Sequence, residues 1–181
     1  MNAKPTPAEV AAARDKLLDD LLEPGLRVLF SGINPGLYSA ATGFHFARPG
    51  NRFWPALHRS GFTPTLLRAA EQKTLLGYGL GITNVVARAS ARADELTPAE
   101  MLEGGAILAD KVRRCQPAWL AVLGVTAYRA AFGDKSARVG PQPATIGATR
   151  VWVLPNPSGL NAHYPLAALA AEFALLRAVA P

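Results

Sequence analysis

The chain has 181 residues, half of them apolar and 18% charged, which suits about one domain of the usual ~150 residues and excludes a disordered chain. Its single cysteine, Cys115, excludes a disulfide framework and a thiolate metal cluster built from this chain alone. No apolar run approaches the roughly 18 residues of a membrane span, and the first residues lack a signal-peptide pattern. We expect a monomeric cytoplasmic protein that uses no cofactor and does not bind a membrane.

Basic residues are unevenly distributed. The 19 lysines and arginines outnumber the 13 acids, and residues 24–93 contain eight basic residues but only one acid, Glu71. Residues 111–171 contain seven basic residues and again one acid, Asp134. Such a distribution indicates an anionic partner that lies across both stretches. It is equally consistent with a composition that is merely rich in arginine, and charge alone does not decide between them.

The predicted elements alternate between helices and strands. Residues 8 to 22 have apolar positions at helical spacing, which predicts an N-terminal helix (residues 1–24) packing on a domain of residues 25–181. Further helical patterns begin near residues 52, 63, 97, 125 and 165. Short apolar runs predict four buried strands, at residues 27–30, 81–86, 118–123 and 150–154. This order predicts a single three-layer α/β/α domain with a central, mainly parallel four-stranded sheet.

Two loops that follow predicted strands combine asparagine with proline and glycine. They span residues 31–37 and 155–161. Ligands bind at the carboxyl ends of strands in such sheets, so we expect the two loops to share one pocket, although Asn-Pro is also ordinary turn chemistry. The three histidines are far apart and have no metal-ligand spacing. A pocket with few titratable groups suits a reaction whose leaving group departs easily.

Four sequence blocks resemble the mismatch-specific uracil-DNA glycosylases, the bacterial relatives of thymine-DNA glycosylase. They occur in the family's order and are Gly32-Ile33-Asn34-Pro35-Gly36, Thr42-Gly43-Phe44-His45-Phe46-Ala47-Arg48-Pro49-Gly50-Asn51-Arg52-Phe53-Trp54, Gly81-Ile82-Thr83-Asn84 and Leu154-Pro155-Asn156-Pro157-Ser158-Gly159-Leu160. The resemblance covers about residues 26 to 176. It implies the uracil-DNA glycosylase fold, and hydrolysis of the N-glycosidic bond of a uracil or damaged pyrimidine flipped out of DNA.

The resemblance also implies roles for pocket residues. Asn34 positions the attacking water, and backbone N–H groups near Ile33 and Phe46 receive the uracil oxygens. The Phe46 ring stacks on the flipped base, unless it is simply a core aromatic. We further expect Asn84 to line the pocket and Ser39 to contact a phosphate or the C5 edge of the base.

The last block matches the family's intercalation wedge. Leu160 fills the gap left by the flipped nucleotide, and Gly159 presents backbone groups to the widowed guanine. Ser158 and Asn161 complete the predicted DNA-binding turn. Ala162 stands where family members carry arginine, which predicts a looser preference for the opposite base that extends to single-stranded DNA.

Asp94 follows the third block after a basic stretch. If its loop folds over the sugar, this carboxylate supplies the base that an asparagine amide cannot be. Alternatively, it is a solvated acid near a helix N-terminus.

Two rival functions fit the same pocket. One is hydrolysis of free nucleosides, and the other is a lesion-binding module that flips bases without cutting. No lysine lies near either loop, so the sequence predicts a monofunctional glycosylase.

Overall fold

The computed structural model describes residues 4–180 of the chain. Five strands form one sheet in the order β2-β1-β3-β5-β4. The strands are β1 (Val28–Gly32), β2 (Leu80–Asn84), β3 (Trp119–Leu123), β4 (Gly140–Ile146) and β5 (Thr149–Leu154). The helices are α1 (Pro7–Ala11), α2 (Leu37–Thr42), α3 (Phe53–Arg59), α4 (Thr74–Gly77), α5 (Pro98–Cys115), α6 (Val125–Phe132) and α7 (Leu166–Val179).

The two faces of the sheet are covered by different helices. Phe30 of β1 packs edge-on against Phe53 of α3 at 5.5 Å and stacks on Phe173 of α7 at 5.9 Å. The neighbouring Leu29 points to the opposite face, in the cluster that contains Leu108 of α5 and Tyr128 of α6. This alternation of side chains along fully buried strands produces three layers. The predicted α/β/α fold with a mainly parallel sheet is therefore confirmed.

The sheet has one more strand than the four predicted. β4 pairs antiparallel with β5 at the sheet edge, and the other pairings are parallel. Its sequence includes Pro141 and Pro143 and is mostly exposed. Proline cannot donate a ladder hydrogen bond, so within sheets it is confined to positions such as edge strands and bulges. This strand therefore lacks the apolar run from which the buried strands were predicted.

The predicted N-terminal helix is wrong beyond Ala11. The chain leaves the helix at Asp15, whose φ is 63°, and continues as an extended segment beside β2, where Leu21 and Ile82 exchange two backbone hydrogen bonds of 2.8 and 3.0 Å. Leu17, an apolar residue of the predicted helix, is 71% exposed. Without this segment the outer edge of β2 would have unpaired backbone groups, and satisfying them outweighs helix propensity. Residues 1–3 of the predicted helix lie outside the described range.

Helix α5 begins with a capping box formed by Thr97 and Glu100. It packs closely against its neighbours at two glycines. A Cβ on Gly104 would lie 2.4 Å from the Val85 carbonyl oxygen, and one on Gly105 would lie 2.0 Å from the Ala131 carbonyl oxygen. Because both obstacles are backbone atoms, no side-chain rotation relieves the contact. No helix within residues 4–180 is both long and apolar enough to cross a bilayer.

We expect Gly105→Ala to lower the free energy of unfolding by about 1–3 kcal/mol, the usual cost of overpacking. The matched control is Gly77→Ala in α4, where a Cβ would meet nothing within 4 Å and alanine is the better helix former. Urea denaturation of both variants measures the difference. Equal stability of the two variants would contradict the close packing of α5 against α6.

Candidate active site

A cavity of about 180 Å³ lies at the carboxyl end of β1. The chain leaves β1 for β2 on one side and reaches β3 on the other, so the cavity lies at the switch point where ligands bind in such sheets. Among the residues that line it are Gly32, Ile33, Asn34, Ser39, Phe46, Arg48, Asn84, Asn156 and Ser158. We call it the β1 cavity. It brings together both asparagine-containing loops that the sequence predicts to share a pocket.

The amide of Asn34 is held in one orientation. Its Nδ2 donates to the carbonyl oxygen of Arg88 at 3.0 Å and to Oγ of Ser90 at 2.8 Å. The Arg88 carbonyl can only accept, so the nitrogen must face it and Oδ1 is the atom left to accept a hydrogen bond from a ligand or water. Ser90 in turn donates to the carbonyl oxygen of Arg92 at 2.7 Å. The amide oxygen therefore has a fixed direction in the cavity.

Arg88 supports this arrangement and is not a free surface cation. Its guanidinium contacts Glu100 at 2.6 Å and Asp15 at 3.2 Å. The hydrogen bond from Arg88 is the main reason that the pKa of Glu100 is lowered to about 2. Arg88, one of the basic residues of the stretch 24–93, therefore joins Asp15 of the N-terminal segment to Glu100 of α5.

Gly32 leaves room for two pocket side chains. A Cβ at this position would lie 2.5 Å from Oδ1 of Asn84 and 3.3 Å from Cζ of Phe46. Asn84 is 6% exposed at the end of β2, and Phe46 is half-buried with its ring stacked 4.2 Å from that of Phe53. Glycine thus allows an amide and an aromatic ring to line the cavity together. Phe46 both contacts the core and lines the cavity, so its two predicted roles are compatible.

The loop that carries Phe46 is anchored on both sides. Oγ of Ser39, a buried residue, accepts a hydrogen bond from the Ala47 N–H at 3.1 Å. The His45 N–H donates to Gln72 at 2.8 Å, and its Nε2 donates to the Asp19 carbonyl oxygen at 2.8 Å. Burial lowers the pKa of the His45 imidazole, which favours its neutral form. Ser39 lines the cavity and also shapes its wall.

Residues 158–161, which we call the leucine turn, project from the end of β5. The Leu160 side chain is 82% exposed, and the Asn161 N–H closes the turn on the Ser158 carbonyl oxygen at 3.0 Å. Gly159 packs against the neighbouring loop, since a Cβ on it would lie 2.8 Å from the Gly50 carbonyl oxygen. The turn is therefore ordered, while its apolar tip faces solvent.

Arg52 anchors the leucine turn through hydrogen bonds to backbone carbonyl oxygens. Its guanidinium donates to the carbonyl oxygens of Ser158, Tyr164 and Asn161, the last at 3.0 Å. Its backbone N–H donates to the Pro157 carbonyl oxygen, also at 3.0 Å. One half-buried arginine thus fixes the loop after β5 to the N-terminus of α3.

Residues 19–177 match the family model described as the uracil DNA glycosylase superfamily. The match covers most of the chain and includes all the residues named above as lining the β1 cavity. The chain belongs to the uracil-DNA glycosylase superfamily. It is accordingly a DNA glycosylase of the uracil type, a hydrolase whose partner is DNA.

In this uracil-DNA glycosylase, Asp94 lies beside the β1 cavity and does not line it. The preceding residue, Ala93, lines the cavity, whereas Asp94 lines an adjoining groove of about 920 Å³ that also includes Leu160. The Asp94 carboxylate is paired with Arg92, and both side chains are mostly exposed. Among the described residues that line the cavity and the groove, Asp94 is the only acid. Its catalytic role stays a prediction.

Three supporting residues of the glycosylase were not predicted from the sequence. Ser90 and Arg52 act through the contacts given above, and Asn156 lines the cavity while its Oδ1 accepts the Ser158 N–H at 2.9 Å. Arg52 lies in the second and Asn156 in the fourth of the sequence blocks that carry the resemblance, which was the available signal. Ser90 had none. No group of three or more metal-ligating side chains occurs within residues 4–180.

Proposed function

We propose that this protein is a monofunctional, mismatch-specific uracil-DNA glycosylase. It binds a uracil or related damaged pyrimidine that is turned out of the duplex, and it hydrolyses the N-glycosidic bond. The observation that carries the proposal is the fixed Oδ1 of Asn34 in a cavity shared with Phe46 and bordered by the leucine turn. A cavity with this content suits one planar base with polar edges.

The chemistry follows from the charges that develop as the glycosidic bond breaks. The sugar becomes oxocarbenium-like, and negative charge grows on the departing uracil. We assign Oδ1 of Asn34 to orient water at C1′ and the backbone N–H groups of Ile33 and Phe46 to stabilise the uracil oxygens. Neither N–H has a hydrogen-bond partner within residues 4–180, so both are available to a base. Stacking on Phe46 adds about 1–3 kcal/mol of binding.

The leucine turn is the proposed intercalating element. An 82% exposed leucine on an otherwise well-bonded turn has no packing role in the protein alone. Inserted between base pairs, it fills the space of the extruded nucleotide and offsets part of the cost of unstacking. Its position beside the β1 cavity supports the proposal, because a wedge and a base pocket must act on the same DNA surface.

Uracil mismatched with guanine is the proposed principal substrate. Alanine at position 162 is exposed and offers no cation to the complementary strand. We therefore propose that the preference for opposite guanine is loose, so that uracil opposite adenine and uracil in single-stranded DNA are also released.

Release of uracil by the purified protein tests the function. We expect release from duplexes with uracil opposite guanine or adenine and from single strands, and none from free deoxyuridine. Leu160→Ala should slow excision from duplexes about tenfold and leave the single-stranded rate unchanged, because only a duplex must be unstacked. Leu175→Ala is the control, since that leucine is 56% exposed on α7.

Other outcomes would identify the rival functions. Cleavage of free deoxyuridine at a rate similar to that on oligonucleotides would indicate a nucleoside hydrolase. Salt-sensitive DNA binding without release of any base would indicate a lesion-binding module. Strict dependence on opposite guanine would contradict the weak discrimination proposed from Ala162.

A further inference from the structure

Arg48 lies where three cavities meet. It lines the β1 cavity, the adjoining groove, and a third cavity of about 300 Å³ formed between its own loop and the leucine turn. Its side chain is exposed, and within residues 4–180 it makes no hydrogen bond or ion pair. Arg48 is therefore shared by the β1 cavity, which is the proposed base pocket, and by the two cavities that Leu160 lines.

The backbone that carries Arg48 is fixed. The Asn51 N–H donates to the Arg48 carbonyl oxygen at 3.0 Å, and the preceding Ala47 N–H is held by Ser39 at 3.1 Å. Gly50 adopts a φ of +87° and packs under Gly159 of the leucine turn. An arginine on such a loop loses less conformational freedom on binding a ligand than one on a mobile segment.

No carboxylate of residues 4–180 is paired with Arg48. Neither the β1 cavity nor the third cavity is lined by an acid among the described residues, and Asp94 in the groove is paired with Arg92. The nearby Arg52 and Arg88 are occupied by carbonyl oxygens and by carboxylates, respectively. Arg48 is thus an uncompensated cation at a site built to receive DNA, which favours an anionic ligand.

We propose that Arg48 binds a backbone phosphate flanking the extruded nucleotide. The inference rests on the proposed function: with uracil in the β1 cavity and Leu160 in the base stack, the sugar-phosphate connection must pass between them, across Arg48. A guanidinium can hold a phosphate through two parallel hydrogen bonds. The contact does not involve the opposite base, so it adds affinity whichever base is opposite. Ala162, by contrast, offers no cation to the complementary strand.

Binding measurements on a non-hydrolysable duplex test the proposal. The probe contains 2′-fluoro-deoxyuridine opposite guanine or adenine, and its dissociation constant is measured at several salt concentrations. We expect Arg48→Ala to weaken binding about tenfold at low salt for both opposite bases and to reduce the slope of log K against log salt by about one. Arg114→Ala is the matched control, because Arg114 is an exposed cation in the last turn of α5, at the opposite end of the sheet.

A neutral linkage identifies the phosphate. Two probes each carry a methylphosphonate in place of one of the two phosphates that flank the extruded nucleotide. On one of these probes, Arg48→Ala and the unaltered protein should bind with the same dissociation constant. The proposal is overturned if Arg48→Ala binds like Arg114→Ala, if its loss is confined to opposite guanine without a change of slope, or if neither linkage removes the difference. Uracil release by the unaltered protein is scored separately, so failure of this contact and failure of the proposed function are distinguishable.

Discussion

Replacing Asn34 with alanine is expected to slow uracil release by about 10²- to 10³-fold, the range found when one preorganised polar contact to the reacting atoms is removed. The variant loses Oδ1, whose direction is set by Arg88 and Ser90, and water is then no longer held at C1′. Affinity for DNA should change little, because Asn34 is not part of the leucine turn. Single-turnover rates and binding to the 2′-fluoro probe separate the two effects.

Two further variants control the Asn34 result. Ser90→Ala removes one of the two acceptors of the Asn34 amide and should slow release about tenfold, since the Arg88 carbonyl still orients the nitrogen. Asn161→Ala removes an amide from the leucine turn, where its Nδ2 donates to the Asn156 carbonyl oxygen at 3.0 Å, and should lower DNA affinity more than the chemical rate. A normal single-turnover rate for Asn34→Ala would remove this amide from the mechanism.

The central strands were predictable because burial on both faces requires continuous apolar runs. β1, β3 and most of β5 are fully buried, and each coincides with a run such as Val28-Leu29-Phe30. By contrast, β4 and the extended N-terminal segment are held by backbone pairing at the two sheet edges, which leaves little pattern in the side chains. Pairing with a strand that is distant in the sequence depends on the tertiary structure, so local propensity does not predict it.

The same reasoning explains which parts of the site were predictable. Loops after β1 and β5 must lie at one edge of a parallel sheet, so the meeting of Asn34 and Ser158 at one cavity follows from strand order. The contacts that fix those loops were not predictable, because they join distant positions: Arg52 reaches the carbonyl oxygen of Asn161, 109 residues away, and Ser90 bonds Asn34 across 56 residues. Neither spacing has a local signature.

The remaining question is whether the amide of Asn34 acts alone. An amide can orient water but cannot take its proton, and His45, which also lines the β1 cavity, is held by the Asp19 carbonyl oxygen and has a lowered pKa. Asp94 is the one acid among the described residues that line the β1 cavity and the adjoining groove. The groove shares Ile33, Arg48 and Ser158 with the cavity, and a catalytic role for Asp94 requires the sugar to lie across this boundary.

Replacing Asp94 with asparagine should therefore slow uracil release by about 10²-fold or more, the usual contribution of a positioned base, without weakening DNA binding. Losing a negative charge beside Arg92 should even strengthen binding slightly, because the freed guanidinium attracts phosphate. Asp110→Asn is the matched control: Asp110 is an exposed acid paired with Arg113 at 2.6 Å on α5, and its loss should leave the rate unchanged. Full activity in Asp94→Asn would mean that Asn34 and the N–H groups of the cavity suffice. A slow Asp94→Asn with normal affinity would assign the missing base to this carboxylate.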